Sequence, residues 1–178
     1  MERSTLARRV YDVAHLTGEF TLRSGIVSNE YFDKYQFESD PVILAAIAKQ
    51  MVDMIPEGTE ILAGLEMGGL AIATALSMQT GLPAVFVRKE AKTYGTAKLA
   101  EGPPVAGKRV LIVEDVVTSG GQVILSCADL KELGAEIDHV VCVIDREQGG
   151  REKLREAGLE LRACFTMSEL NAAGEYQE

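Results

Sequence analysis

Two adjacent acids and a loop of small residues follow one apolar segment in the stretch VLIVEDVVTSGG, which covers residues 110–121. Small residues allow backbone N–H groups to approach an anion closely, and the N-terminus of a following helix adds partial positive charge. A phosphate group therefore suits residues 118–121. Glu114 and Asp115 cannot bind that same phosphate, but they can accept hydrogen bonds from a vicinal diol. Together these residues predict a site for a sugar 5-phosphate whose ribose hydroxyls bind the two acids.

The alternative for this stretch is a capped helix after a buried strand, with the acids at a solvated edge. A lone TSGG sequence would favour that alternative. The fixed spacing of a buried segment, paired acids and glycines favours the phosphate site instead.

Basic residues are concentrated in one segment of an otherwise acidic protein. The formal net charge is −9, which argues against binding to nucleic acid or to a membrane surface. Four basic residues and a single acid fall within positions 88–98, namely Arg88, Lys89, Lys92, Lys98 and Glu90. Such a segment suits a small anionic ligand. Residues 89–104 lack periodicity and contain glycines and prolines, which predicts a mobile functional loop.

The composition is that of a soluble globular protein, with 178 residues of which 47% are hydrophobic and 25% charged. No apolar run approaches the roughly 20 residues of a membrane span, and the N-terminus lacks the apolar core of a signal peptide. The 3 cysteines form no CxxC pair and favour buried free thiols. We therefore expect a cytoplasmic protein.

Short β-branched segments alternate with amphipathic helices along most of the chain. Strands are expected at 60–64, 83–87, 109–114 and 139–145, and helices at 69–80, 121–134 and 150–158. This alternation predicts an α/β fold with a mostly parallel central sheet flanked by helices. Ligands of such sheets bind beyond the carboxyl ends of the strands, which is where the acid pair lies.

The first forty residues have a different pattern. An amphipathic helix is expected over 6–16, a β-containing region over 18–33, and a helix from Asp40 and Pro41 to about Met54. We predict a single domain over 1–178, with a small N-terminal β-containing hood at about 1–40 and a ligand-binding core at about 41–170. A short helix and a frayed tail are expected at the C-terminus.

The stretch VLIVEDVVTSGG resembles the binding motif for 5-phosphoribosyl 1-pyrophosphate (PRPP) in type I phosphoribosyltransferases. Three further stretches resemble orotate phosphoribosyltransferases in particular. GEFTLRSGIVSNEYFD (18–33) resembles their N-terminal signature, VFVRKEAKTYG (85–95) their catalytic loop, and VIDREQGG (143–150) the segment with their orotate-contacting arginine. The resemblance implies the type I phosphoribosyltransferase fold, the transfer of phosphoribose from PRPP to orotate in pyrimidine (UMP) biosynthesis, Mg²⁺ dependence and a homodimer.

The resemblance also implies roles for individual residues. The implied catalytic set is Lys92, Asp115, Arg88 and Lys89. The implied PRPP-binding set is Glu114, Asp115, Val116, Val117, Thr118, Ser119, Gly120, Gly121, Gln122, Arg88, Lys89, Lys92, Tyr94, Met67 and Gly68. No protein cluster is implied for Mg²⁺, which would bind mainly through PRPP. The loop at about 89–104 would close over the active site of the neighbouring subunit.

Orotate is a planar carboxylate, which an arginine can bind with two parallel hydrogen bonds. The implied orotate-binding set is Arg23, Tyr31, Phe32, Thr118 and Arg146. Two alternatives stay open at this point. Tyr31 could simply pack in the core, and Arg146 could form a surface ion pair with Asp145.

The sequence departs from the family at two positions. Tyr94 stands where many relatives have histidine, and Gly68 stands where many have lysine. The detailed geometry at the pyrophosphate is therefore open. Two other functions remain as alternatives: a purine phosphoribosyltransferase with the same PRPP site, and a catalytically weak regulator of the same fold that senses PRPP.

Overall fold

The computed structural model describes residues 1–21, 25–90 and 99–175. Its helices are α1 Arg3–Ala14, α2 Tyr35–Ser39, α3 Pro41–Met51, α4 Gly68–Thr80, α5 Gly121–Glu132, α6 Gly150–Glu156 and α7 Met167–Glu175, with a 3₁₀ turn at Val52–Met54. Its strands are β1 His15–Thr21, β2 Val27–Phe32, β3 Ile61–Leu65, β4 Ala84–Val87, β5 Ala100–Glu101, β6 Val110–Val117, β7 His139–Asp145 and β8 Glu160–Thr166.

The strands form a 6-stranded sheet and a separate hairpin. The order in the sheet is β5-β4-β3-β6-β7-β8, and only the pairing of β4 with β5 is antiparallel. Strands β1 and β2 form the antiparallel hairpin. The predicted α/β fold, with its mostly parallel sheet and small N-terminal β region, is confirmed.

Strand β6 lies near the centre of the sheet, between β3 and β7. Its successive side chains point to opposite faces. Leu111 and Val113 pack into the core on the side of α1, α3 and α4, whereas Val110 and Ile112 pack on the side of α5 and α6. Because both faces are covered by apolar side chains, the carboxyl end of β6 is held rigidly where the acid pair begins.

Helix α3 begins where the sequence predicts. The Asp40 carboxylate accepts hydrogen bonds from the backbone N–H groups of Val42 and Ile43 at 2.8 and 2.9 Å, and Pro41 is the first helical residue. The α-helix ends at Met51, and the 3₁₀ turn continues it to the predicted end at Met54.

Three strands differ from the sequence-based expectation, α1 ends at Ala14 because His15 and Leu16 belong to β1, and α2 was not expected. Strand β6 continues through the acids to Val117, because Val116 and Val117 pair with β7. Strand β5 falls within the segment expected to be a loop, and its two residues pair with Phe86 and Val87. Strand β8 was not expected, since its sequence ELRACFT carries charged residues at exposed and partly exposed positions.

The cysteines are buried and free, as expected. Burial raises the pKa of the Cys127 and Cys164 thiols to about 12 and that of Cys142 well above its usual value. Within the described ranges, no helix is both long and apolar enough to span a bilayer.

Candidate functional site

The turn after β6 has the geometry expected of an anion-binding loop. Thr118 and Ser119 are exposed, Gly120 has a φ of +71°, and α5 begins at Gly121. The left-handed φ favours glycine at that position. The first backbone N–H groups of α5 have no partner within the helix and can bind a negative group.

The start of α6 supports this turn from behind. A Cβ atom placed on Gly150 would lie only 2.5 Å from the carbonyl oxygen of Thr118. The main chain of α6 therefore touches the main chain of the turn, and a side chain at residue 150 would displace Thr118. Gly150 is buried, so this contact is shielded from solvent.

A cleft with a volume of about 330 Å³ opens in front of the turn. It is lined by Lys34, Glu66, Lys89, Glu114, Asp115, Val116, Val117, Thr118, Ser119, Gly120, Gly121, Gln122 and Val123. The structure thus brings the acid pair, the predicted phosphate loop and one residue of the basic segment together at the carboxyl end of β6.

Asp115 lies at the buried end of this cleft and is only 1% exposed. Its Oδ1 accepts a hydrogen bond from the backbone N–H of Val116, and its Oδ2 forms an ion pair with Nζ of Lys34. Burial alone would raise the pKa of Asp115, but hydrogen bonds from Glu114 and Lys34 outweigh it and lower that pKa. Asp115 is therefore an ionised carboxylate in a nearly dry environment.

Two other carboxyl groups next to Asp115 have raised pKa values. Burial and the charge of Asp115 raise the pKa of Glu38, on α2, to about 8. The same two causes raise the pKa of Glu114 well above its usual value. Of these neighbouring acids, Asp115 is the one whose pKa is lowered.

Gly68, the first residue of α4, lies directly against this group. A Cβ atom on Gly68 would be 1.6 Å from Oδ2 of Asp115 and 2.7 Å from Oε1 of Glu38. A lysine at position 68, as in many members of the family that the sequence resembles, would require Asp115 to move. The absence of a side chain at position 68 therefore allows Asp115 to lie where it pairs with Lys34.

The start of the basic segment is attached to the turn before α4. The backbone N–H of Lys89 donates to Oε1 of Glu66 at 2.5 Å. The backbone N–H of Arg88 donates to the carbonyl of Leu99 at 2.9 Å, so both ends of the segment meet. In the same turn, Met67 is exposed and precedes the first N–H groups of α4.

Arg146 directly follows β7 and lies next to the phosphate loop. Its backbone N–H donates to the carbonyl of Val117 at 2.9 Å, which fixes Arg146 next to Thr118. Asp145 pairs with Arg151 at 3.0 Å, and the alternative ion pair with Arg146 is absent among the described residues. Nε of Arg146 is buried and donates to no partner within the described part of the chain. Arg146 is therefore an arginine whose charge is available to a ligand.

Tyr31 and Phe32 are neighbours at the end of β2, but Tyr31 lies at the surface and Phe32 in the core. Tyr31 is 44% exposed and its ring contacts that of Phe20, with 5.5 Å between centroids. Tyr31 therefore does not pack in the core, which was the alternative for it. Phe32 is 9% exposed and its ring belongs to the core beside α1.

Three residues of the implied site, Arg23, Lys92 and Tyr94, lie outside the described residues. Conversely, Lys34, Glu38 and Glu66 contribute to the site but were not expected from the sequence. The one available signal was the i, i+4 spacing of Lys34 and Glu38 immediately after the NEYFD stretch, which joins two opposite charges within one turn of helix.

Comparisons with known proteins agree with this geometry. The family described as phosphoribosyl transferase domain matches residues 36–157. A curated orotate phosphoribosyltransferase from a Nocardioides species is 54% identical over 172 residues, covering 97% of this chain and 96% of the relative. A crystal structure of Mycobacterium tuberculosis H37Rv orotate phosphoribosyltransferase in complex with Fe(III) dicitrate has a TM-score of 0.86 and 32% identity, covering 94% of this chain and 98% of that one. A structure of the same enzyme in complex with PRPP has a TM-score of 0.81 and 29% identity, covering 95% and 98%.

Proposed function

The chain belongs to the phosphoribosyltransferase family and, within it, to the orotate phosphoribosyltransferases, and from this we infer the reaction of its site. The enzyme transfers the 5-phosphoribosyl group of PRPP to orotate, giving orotidine 5′-monophosphate and pyrophosphate in pyrimidine biosynthesis. The observation that carries this conclusion is the cleft at the end of β6, where the acid pair and the phosphate loop lie together and where the backbone of Arg146 is bonded to Val117.

PRPP would occupy the cleft along its length. Its 5-phosphate would accept hydrogen bonds from the turn at 118–122 and the start of α5. Its ribose hydroxyls would donate to Glu114 and Asp115. Its pyrophosphate would lie at Met67 and Gly68, where the start of α4 offers further N–H groups.

Orotate would lie on the other side of the phosphate loop. The guanidinium of Arg146 can bind the orotate carboxylate with two parallel hydrogen bonds, because no internal acid occupies it among the described residues. Tyr31 supplies an exposed ring for the flat base, Thr118 lies beside Arg146, and Arg23 and the backbone of Phe32 complete the proposed set.

The chemical step needs little from a general base. The bond between ribose C1 and the pyrophosphate oxygen breaks with its electron pair staying on the oxygen, and the anionic ring nitrogen of orotate forms the new bond to C1. Positive charge from Arg88, Lys89 and Lys92 would stabilise the negative charge that accumulates on the leaving group. Tyr94 would donate a hydrogen bond but no charge. Closure of the loop would exclude water from the reactive ribosyl centre.

We propose Mg²⁺ as the metal of the reaction. The cleft residues fit it, because Glu114 and Glu66 place carboxylate oxygens, the ligands that Mg²⁺ prefers, at the wall of the cleft. The described residues hold no cluster of three or more His, Cys, Asp or Glu side chains that could bind a metal unaided. Mg²⁺ would therefore reach the site mainly through PRPP oxygens, where it neutralises part of the pyrophosphate charge.

We also propose a homodimer in which the loop at about 89–104 closes over the partner's active site. An apolar surface beside this loop supports the proposal. A cavity of about 390 Å³ is lined by Leu44, Leu70, Ala71, Thr74, Ala75, Met78 and Phe86. Met78 is 83% exposed, and Phe86 lies in β4, which leads directly into the basic segment. Covering this surface with a second copy would bury it and bring one subunit's basic segment to the other.

The three buried free thiols suit a reducing compartment, so we propose that the enzyme works in the cytoplasm. Its partners would be the two small-molecule substrates and a second copy of itself, without nucleic acid or membrane.

A stoichiometry measurement tests the proposed reaction. Purified protein with PRPP, Mg²⁺ and orotate should form orotidine 5′-monophosphate and pyrophosphate in equal amounts as orotate disappears. A protein that binds PRPP but turns over no base would instead be a sensor of PRPP, and the proposed function would be wrong.

A further inference from the structure

Lys34 is a partly exposed residue of the cleft whose ammonium group contacts the buried carboxylate of Asp115. Its side chain is 33% exposed, whereas the Asp115 side chain to which its Nζ is paired is only 1% exposed. Lys34 is the cation that reaches Asp115 within the described part of the chain. The carboxylate that a ribose hydroxyl needs is therefore already occupied in the free protein, by Lys34 at Oδ2 and by the N–H of Val116 at Oδ1.

The position of Oδ2 fixes the position of the lysine. Oδ2 would lie 1.6 Å from a Cβ on Gly68, so it touches the start of α4. Since Nζ of Lys34 contacts this oxygen, the ammonium group lies beside Gly68, at the end of the turn between β3 and α4. This turn is the proposed pyrophosphate site.

Lys34 stays protonated next to Asp115. Burial would lower the pKa of Lys34, but the hydrogen bond and charge of Asp115 outweigh it and raise that pKa. Glu38 does not compete for the lysine near neutral pH, because burial and the charge of Asp115 raise its pKa to about 8. If a ribose hydroxyl replaced Lys34 on Asp115, a partly buried ammonium would be left without its anion, which is unfavourable unless another anion takes that place.

We propose that Lys34 is a substrate-binding residue that moves from Asp115 to the pyrophosphate group of PRPP when the ribose hydroxyls bind Asp115. In this exchange one ion pair replaces another, and the arriving pyrophosphate gains a cation that the basic loop does not supply. The inference rests on the proposed function, since it assumes that PRPP occupies this cleft.

Separate binding measurements with pyrophosphate and with ribose 5-phosphate, the two halves of PRPP, distinguish this role of Lys34 from a purely structural role. Wild-type protein is titrated calorimetrically with Mg²⁺ and pyrophosphate, and separately with ribose 5-phosphate. In Lys34→Met, pyrophosphate should bind about tenfold more weakly or worse, the loss expected for a charge-assisted hydrogen bond. Ribose 5-phosphate should bind at least as tightly as to wild type, because Asp115 no longer has to release the lysine. Lys34→Arg should restore most of the pyrophosphate affinity.

Lys108→Met is the matched control. Lys108 also pairs with a carboxylate, Glu60, at 2.8 Å, but on the exposed surface before β6 begins. Its replacement should change neither titration. Unchanged pyrophosphate affinity in Lys34→Met would overturn the inference. So would a loss confined to ribose 5-phosphate, which would mean that Lys34 only positions Asp115. If wild-type protein bound neither half of PRPP, the proposed function itself would fail, and this inference with it.

A second measurement needs no variant. The rate at which an amine-acylating reagent modifies Lys34 is followed in wild-type protein by peptide mass spectrometry. Ribose 5-phosphate should accelerate the modification, since it displaces Lys34 from Asp115, and Mg²⁺ with pyrophosphate should slow it. Acceleration or no change with pyrophosphate would contradict the exchange even if Lys34→Met failed to fold.

Discussion

Replacing Arg146 with methionine should lower kcat/KM for orotate by 10²- to 10³-fold and leave the affinity for PRPP nearly unchanged. The expected cost is about 3 to 4 kcal/mol, as for truncating one partner of a desolvated charge pair. Arg146 is fixed beside Thr118 by its backbone hydrogen bond to Val117, and its side chain is not held by Asp145. Methionine retains the length and apolar stem, so the loss would report the guanidinium. Steady-state kinetics with each substrate varied in turn would measure it.

Two further variants make this prediction specific. Arg146→Lys keeps the charge but not the planar fork, so it should recover only part of the lost kcat/KM. Arg155→Met removes an exposed arginine on α6 and should behave like wild type. Orotate turnover by Arg146→Met at the wild-type rate would exclude Arg146 from the orotate site.

Lys92→Ala and Asp115→Asn should each lower kcat by at least about 10²-fold, yet a mixture of the two should be active. Lys92 belongs to the loop proposed to act on the partner's site, whereas Asp115 lies at the end of β6 in its own subunit. A heterodimer of the two variants would contain one site with both changes and one site with neither. With random pairing, half of the dimers are mixed, so about a quarter of wild-type activity should return.

The control for this experiment pairs two changes in the same loop. A mixture of Lys92→Ala and Lys92→Met leaves every site without Lys92, whichever subunit supplies the loop, so no recovery is expected. Mass spectrometry of differently labelled subunits would establish that mixed dimers form. If mixed dimers of Lys92→Ala and Asp115→Asn formed but stayed inactive, each active site would be built from a single chain.

Local sequence patterns predicted the elements that hold the site. Runs of apolar residues at β3, β6 and β7 are buried on both faces of a parallel sheet, and this leaves a clear signal in the sequence. The turn after β6 was predictable for the same reason, because its small residues follow a buried strand directly. Strand β8 lies at the edge of the sheet with partly exposed charged residues, so its pattern was too weak to be identified.

The contacts that adjust the charges of the site were not predictable. Lys34 and Asp115 are far apart in the chain and meet only because α2 packs near the start of α4. The place of Gly68 in that arrangement follows from a main-chain approach that a sequence does not display. The sequence left open whether Arg146 pairs with Asp145 or binds a ligand. In the structure Asp145 pairs with Arg151 of α6 instead.

The most direct test of the account is a competition between bases. Orotate, adenine, hypoxanthine, xanthine and uracil are supplied together with PRPP and Mg²⁺, and the nucleotides formed are identified by mass. Because Arg146 offers a charge that only the orotate carboxylate can pair with, the account predicts orotidine 5′-monophosphate as the sole product. Formation of a purine nucleotide while orotate remains would contradict the assignment of the base site.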